Sequence, residues 1–566
     1  MITEDIICLA AAAGLIVGYY VIWRMGLTEK YRLFRLFGVL PAVAALLGIL
    51  IADWETCLIP AYLGTLLFSV SVVSESAKKF LPAAVTAFLM TAAAFPLCLT
   101  ADSYRKPPYE DDFNEMFRLM KKYYVLADYK QTDFDAFYNK YLPQIRELPR
   151  KSDEKYFALC YRFCSEFNDL HVSSANVRSR DFANDLKNTQ AEICGGDPGF
   201  TGIRLDDGRV LACCVSEDSA AYKAGLRSGC EITAYCGKPV DEFLAESRPE
   251  YMSFADIDNL EFCKPLMCFG ITGDKAELGF VNESGGTVTA EITPNGNYSD
   301  RIRSAMKLLF GEYDMNNNYL LEDLGGGIAR LEINSFMDTP SFIWKRHKEE
   351  MEKCGDEMWR FWDEYRDKGI QEPVIYLGMK DIMEDMKAAG ADKLIIDLRQ
   401  NGGGELEQAG TVAGWFTDKP LFFAVEEYTN RTTGKTVVTE PEKTECAFGD
   451  FDGEVVLLVG PETVSAAEIF TRTMQALPNV TVMGLTDTAG SAMGVGQSHT
   501  ELLAYQFPIY KMLDEDGNIL IDSGADMQSG LERDVKIAFD EKAFNAVFGD
   551  NTDYAVDYAV EYLKTH

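Results

Sequence analysis

The sequence predicts a multi-domain chain: a membrane region of four helices, a helical subdomain, a β-rich module, and a C-terminal region in which strands feed helices. Three observations predict this. Four apolar runs fill residues 1–101, with nearly every polar residue falling between them. Residues 105–185 carry apolar side chains at three- and four-residue steps, the helical period. Further on, short apolar runs such as Val455 to Val459 end in glycine turns that open onto amphipathic segments.

The membrane region comes first. Segments 6–23, 33–52, 58–73 and 80–99 each approach the ~20 apolar residues that cross a bilayer. A secretory leader does not fit the start, because Glu4 and Asp5 stand where a positive region would be. Arg24, Lys30, Arg32 and Arg35 follow the first segment, Lys78 and Lys79 the third, and only Asp53 and Glu55 lie between the second and third. Placing the basic loops in the cytoplasm puts the N-terminus and residues 105–566 outside the cell membrane, with the chain multi-pass.

Charge and cysteine content bound the rest. The 566 residues have a formal net charge of −34. Residues 1–104 hold six Lys/Arg and seven Asp/Glu, so about −33 falls on the remainder. Such acidity excludes nucleic acid as a partner, since phosphate binding needs clustered Lys and Arg. The 14 cysteines are irregularly spaced and include no C-x-x-C pair, so a disulfide framework is not implied, though one or two bridges are open. The four histidines contain no H-E-x-x-H pattern, and neither a metal nor a cofactor is expected.

Residues 105–190 read as the helical subdomain, in which Ser152 and Asp153 start a helix and Asn168-Asp169-Leu170-His171-Val172 end the region. A single histidine after a helix is more often a cap or a surface residue than a base. In 191–298 a strand, a glycine turn and a second strand lead to Ser219-Ala220-Ala221, Ala224-Gly225-Leu226, Gly229 and Gly237-Lys238-Pro239-Val240. From residue 304 onward, 325–336 reads as a strand pair and 337–391 as a charged helical insertion. The polar stretch 313–323 lacks the sixth-position glycine of an EF-hand loop and reads as a turn. Residues 393–404, KLIIDLRQNGGG, form a strand ending in bare backbone amides. In 454–490 a strand and a Gly-Pro turn lead to Ser465 at a helix start, where unpaired N–H groups can hold a developing negative charge. Such a serine serves as a nucleophile or merely as an N-cap.

The pair "LIIDLRQNGGG" and "VSAAEIF" resembles the C-terminal processing (tail-specific) serine peptidases and their tricorn-type relatives. The resemblance implies Ser465 as nucleophile, one oxyanion donor from Gly402 and Gly403, and a second from the amide of Ala466. It implies a ββα superhelix core of the kind shared with Clp protease and crotonase over 304–566. Residues 191–298 resemble a PDZ β-barrel, a module that takes an extended peptide as an added strand. Bacterial members place a lysine base in the loop after the nucleophile helix; here the loop reads TDTAGSAMGVG, with Ser491 near that place. The T-A-G form matches tricorn-like members, whose base is a histidine at the end of a helical region; this is His171, with Val172 where threonine is usual. The family's orienting glutamate falls on Gln528, with Asp526 and Asp522 close by, so Asp526 substitutes, Gln528 serves with less power, or catalysis is weak. His499, in an alternating strand, is a rival base better read as structural. The implied function is a membrane-anchored serine endopeptidase acting on peptides or proteins outside the cytoplasmic membrane. The alternative is an inactive receptor or scaffold that binds peptide termini through the PDZ module.

Overall fold

The computed structural model describes residues 108–566, apart from 178–181, 313–317, 338–362, 364–369, 371, 431, 445–447, 450 and 529. The four apolar segments, the topology drawn from their flanks, and most of the 337–391 insertion lie outside the described residues. Among the described residues no helix is long and apolar enough to cross a membrane.

Helices Tyr109–Tyr123, Phe134–Arg146 and Asp153–Ser165 open the described chain. The first buries Tyr109, Phe113, Met116 and Met120, one apolar face at helical spacing. Its first turn holds Glu110, Asp111 and Asp112 and its last Lys121 and Lys122, which suits the helix dipole. The second begins where Asp133 accepts the Ala136 N–H at 2.8 Å. Their aromatic side chains interlock: Phe113 meets Phe163 edge-on at 5.1 Å, and Tyr124 meets Phe167 at 5.3 Å. Directly after Phe167 the backbone turns through Asn168 at φ 47°, and His171 follows. Strand β1 (Ser173–Asn176) then pairs antiparallel with the core strand β17 (Leu503–Leu513), Ser173 opposite Gln506, so the His171 turn is held at both ends.

After helix Phe182–Cys194 comes the β-rich module: β2 (Thr201–Arg204), β3 (Val210–Cys213), β4 (Glu231–Tyr235), β5 (Lys238–Pro239), β6 (Ala276–Val281) and β7 (Thr287–Ile292). They form an antiparallel sheet in the order β2-β3-β4-β6-β7, with β5 beside β4.

The remaining strands are β8 (Tyr319–Gly325), β9 (Ile328–Ile333), β10 (Lys393–Asp397), β11 (Phe422–Thr429), β12 (Thr436–Val438), β13 (Glu442–Lys443), β14 (Val455–Val459), β15 (Val480–Gly484), β16 (Gly494–His499), β17 (Leu503–Leu513) and β18 (Val535–Lys536). One sheet runs β18-β15-β14-β10-β9-β8, parallel except for the β8–β9 hairpin. Its central strands are apolar on both faces, and every residue of β14 is buried. A second sheet is built on β1-β17-β11-β12, with β16 also on β17. The expected α/β core is thus present, and helix Pro373–Ala389 is the described part of the insertion. All nine cysteines among the described residues are free thiols.

Parallel pairing positions the site. Strands β10 and β14 run side by side, Asp397 opposite Leu458, so the Asn401–Gly404 loop and the Gly460–Ser465 turn leave the same sheet edge together. Such a carboxyl-end crevice is where open α/β sheets place their ligands. Just below, Arg399 is fully buried and bridges Asp397 and Asp553, with its Nη2 at 2.7 and 2.6 Å from the two carboxylates. This ties the final helix, Tyr554–Thr565, to the strand that carries the glycine loop.

Candidate active site

Ser465 sits between β14 and helix Ala466–Gln475 with φ 62° and ψ −127°, a conformation that a residue with a side chain adopts only at a cost of about 1–3 kcal/mol. The surrounding turn is over-determined. The buried Thr463 hydroxyl donates to Leu398 O at 2.8 Å and accepts the Gly460 N–H at 3.0 Å. Val464 N–H donates to Asn401 O at 3.0 Å, and Ser465 N–H to Ser491 O at 3.0 Å. Together these bonds brace the turn internally and tie it to the chain at Leu398, Asn401 and Ser491.

The glycine loop packs on this turn. Gly403 has φ +93°, and a Cβ placed there would stand 2.6 Å from Ser465 Cβ and 2.7 Å from Val464 O. Only glycine fits so close. Its N–H donates to Asn401 Oδ1 at 2.9 Å, so that amide is engaged within the loop. The N–H groups of Gly402 and Ala466 have no partner among the described residues, and Gly402 is exposed. The donor pair that the geometry leaves open beside Ser465 is therefore Gly402 with Ala466, Ala466 being the first residue of a helix.

Glu468 is a residue whose role the sequence reading did not assign. It is fully buried one turn into the Ser465 helix. Oε1 accepts the Thr488 hydroxyl and the Gly490 N–H, both at 2.7 Å, and Oε2 accepts Ser491 N–H at 2.9 Å and Ser465 N–H at 3.3 Å. Burial pushes its carboxyl up to about 7, against the pull of those four donors. Glu468 thus fastens the 488–491 loop to the serine turn. The Ser465-x-x-Glu468 spacing, a capping-box pattern, was the available signal.

His171 is 7% exposed. Its own N–H donates to Asp169 Oδ1 at 2.9 Å. Asp169 is fully buried, accepts the Tyr124 hydroxyl at 2.8 Å, and lies 3.4 Å from Ser491 Oγ. Ser491 Oγ in turn accepts Leu170 N–H at 3.1 Å. Ser491 therefore touches both halves of the site, its carbonyl on the Ser465 amide and its hydroxyl on the His171 turn. Burial holds the imidazole below its ordinary value; Asp169 opposes this and Lys130 adds to it. Nδ1 is buried without a hydrogen-bond partner. Lys130 is itself buried and donates to Ser523 Oγ at 2.9 Å and Asn168 O at 3.1 Å, 3.4 Å from Asp522 Oδ1.

A cleft of about 480 Å³ joins these parts, with His171, Gly402, Gly403 and Val464 in one lining. Hollows of about 500 and 780 Å³ elsewhere contain neither His171 nor the glycine loop. Chemistry rather than size marks the site.

Two expected residues stand elsewhere. Asp526 and Gln528 are exposed, and Asp526 Oδ1 accepts the Gln528 N–H at 3.3 Å within their own turn. Among the described residues the carboxylate bonded to His171 is Asp169, through the His171 backbone N–H, and the charge of Lys130 also bears on the imidazole. His499 is exposed on β16, opposite Ala504. Among the described residues no group of three or more His, Cys, Asp or Glu side chains could hold a metal ion.

Comparison with known proteins gives two family matches: residues 370–537 to peptidase family S41, and residues 106–154 to the tricorn protease C1 domain. The chain is 29% identical over 154 residues to the carboxy-terminal processing protease CtpA of Bacillus subtilis, covering 27% of this chain and 32% of that protein. It is 29% identical over 111 residues to the tail-specific protease of Haemophilus influenzae, covering 19% of this chain and 15% of that protein. The matches thus span a third or less of these relatives. Among solved structures, mature CPAF complexed with lactacystin aligns over 81% of this chain and 97% of that one, at 13% identity and a TM-score of 0.49. The stretch that matches peptidase family S41 includes both Ser465 and the glycine loop, and the stretch that matches the tricorn protease C1 domain lies ahead of it.

Proposed function

We propose that the protein is a serine endopeptidase of the C-terminal processing type, anchored in the cell membrane with residues 105–566 outside. The observation that carries this reading is the strained Ser465, held against Gly403 beside two unengaged amides, with Gly403 and the adjacent Val464 lining the same cleft as His171. His171 takes the proton of Ser465 Oγ as that oxygen attacks the scissile carbonyl. The amides of Gly402 and Ala466 hold the oxyanion that forms. His171 then protonates the leaving amine, and water releases the acyl group by the reverse sequence. A depressed imidazole suits the task, because the base must be neutral to act. Asp169 holds the backbone turn of His171 and supplies negative charge near the imidazolium. Residues 191–298 serve as a PDZ-like module that captures substrate peptide; the antiparallel sheet there, with β2 and β7 at its edges, supports this reading.

Peptide cleavage by the purified full-length chain, with and without Ser465→Ala, tests the proposal. Cleavage that vanishes in the variant is expected. Cleavage that persists undiminished would rule out Ser465 as nucleophile.

A further inference from the structure

The cleft that holds His171 and the glycine loop has one acidic side chain in its lining, Glu462. Around it stand Asn334, Ser335, Gln400 and Gln506, with no Lys or Arg among the described residues of the lining. Among the described residues Glu462 makes no ion pair, although this acidic chain pairs many of its other carboxylates. An unpaired acid in a partly closed site is costly unless something balances it.

Glu462 is also rigidly placed. It belongs to the turn locked by the Thr463 hydroxyl bonds and by Val464 N–H on Asn401 O. Three Cα steps separate it from Ser465, so the two Cα atoms lie at most about 11 Å apart. That is the reach of a substrate residue at, or one removed from, the scissile bond. Burial raises its carboxyl and Gln400 steadies the charged form through a hydrogen bond, consistent with an acid that gains from a bound cation.

We propose that Glu462 is a specificity determinant that selects a basic side chain, Lys or Arg, on the substrate residue at or next to the scissile bond. This rests on the peptidase reading above. A Lys or Arg entering the cleft would set its cation against the carboxylate, the uncharged polar groups accepting its remaining N–H donors. An acidic side chain there would meet repulsion and no donor cation.

The test uses the full-length protein and peptide sets matched except for Lys, Arg, Leu or Glu at the two positions flanking the cleaved bond. In the wild type, kcat/KM for the basic peptides should exceed that for the acidic ones by at least about tenfold at one of those positions. Glu462→Gln should collapse this ratio toward one, and Glu462→Lys should invert it. A thermal melt of each variant shows whether it is folded; should both fail to fold, the wild-type ratio alone still decides. Equal or acid-favouring wild-type rates overturn the inference. A ratio that survives Glu462→Gln overturns it as well. Fluorophosphonate labelling of wild-type Ser465 separates the two levels: label without basic preference sinks the specificity inference alone, whereas no label and no cleavage sink the peptidase reading beneath it.

Discussion

Gly403→Ala probes the site through one methyl group. The new Cβ would stand 2.6 Å from Ser465 Cβ, 2.7 Å from Val464 O and 3.0 Å from Ala466 N, at a backbone φ of +93°. Real Cβ atoms do not approach so near, and two of the three neighbours are backbone atoms of the serine turn, so the turn itself must shift. The backbone conformation alone costs about 1–3 kcal/mol. A shift of ~1 Å at the nucleophile costs about 10²-fold in rate even when the fold survives. The comparison is internal: at Gly402 a Cβ meets nothing within 4 Å and φ is not positive, and alanine keeps the N–H. Steady-state kinetics on one peptide, with thermal melts alongside, should show Gly403→Ala losing at least about tenfold more kcat/KM than Gly402→Ala. Equal losses, or none at Gly403, would refute the packing argument and with it the placement of the glycine loop against Ser465.

Other outcomes follow from the same geometry. Ser465→Ala and His171→Ala should each remove most cleavage, with the double variant hardly worse, because nucleophile and base act as one unit; additive losses in kinetics would contradict this. Activity should fall on the acid side with a midpoint below the ~6.5 of an ordinary imidazole, since burial and Lys130 disfavour the imidazolium. Lys130→Met should move that midpoint upward, whereas Asp526→Asn should leave it in place, as read from kcat/KM against pH. Asp397 is held down at about 2 because Arg399 and Arg330 outweigh the burial that would raise it. A depressed carboxylate adds stability above the unfolded value and loses it as pH falls through the folded one, here about 2 kcal/mol lost between roughly pH 4 and 2. Urea melts of Arg399→Met should lack that acid-dependent increment, and an unchanged slope would count against it.

Local features were legible from the sequence and long-range ones were not. Ser465 could be read because strand, turn and helix are consecutive. Asp169 stood in plain view two residues before His171. Its role was hidden because its partners come from Tyr124, 45 positions away, and from Ser491, 322 positions away. Lys130 and Ser523 are 393 positions apart, and no periodicity connects them. The orienting acid was expected at Gln528 from the family resemblance alone; Asp526 and Gln528 are exposed, in a turn whose course no local sequence pattern sets. Glu468 was visible as a motif letter, but that it accepts four hydrogen bonds at once appears only when the 488–491 loop folds over the helix.

In the proposed mechanism Ser465 is a nucleophile activated by His171. Intact-mass analysis and peptide mapping after treatment with a fluorophosphonate test it most directly. One adduct is expected, on Ser465, absent from Ser465→Ala and strongly slowed in His171→Ala. An adduct on another serine, or labelling of Ser465 at the same rate without His171, would contradict it.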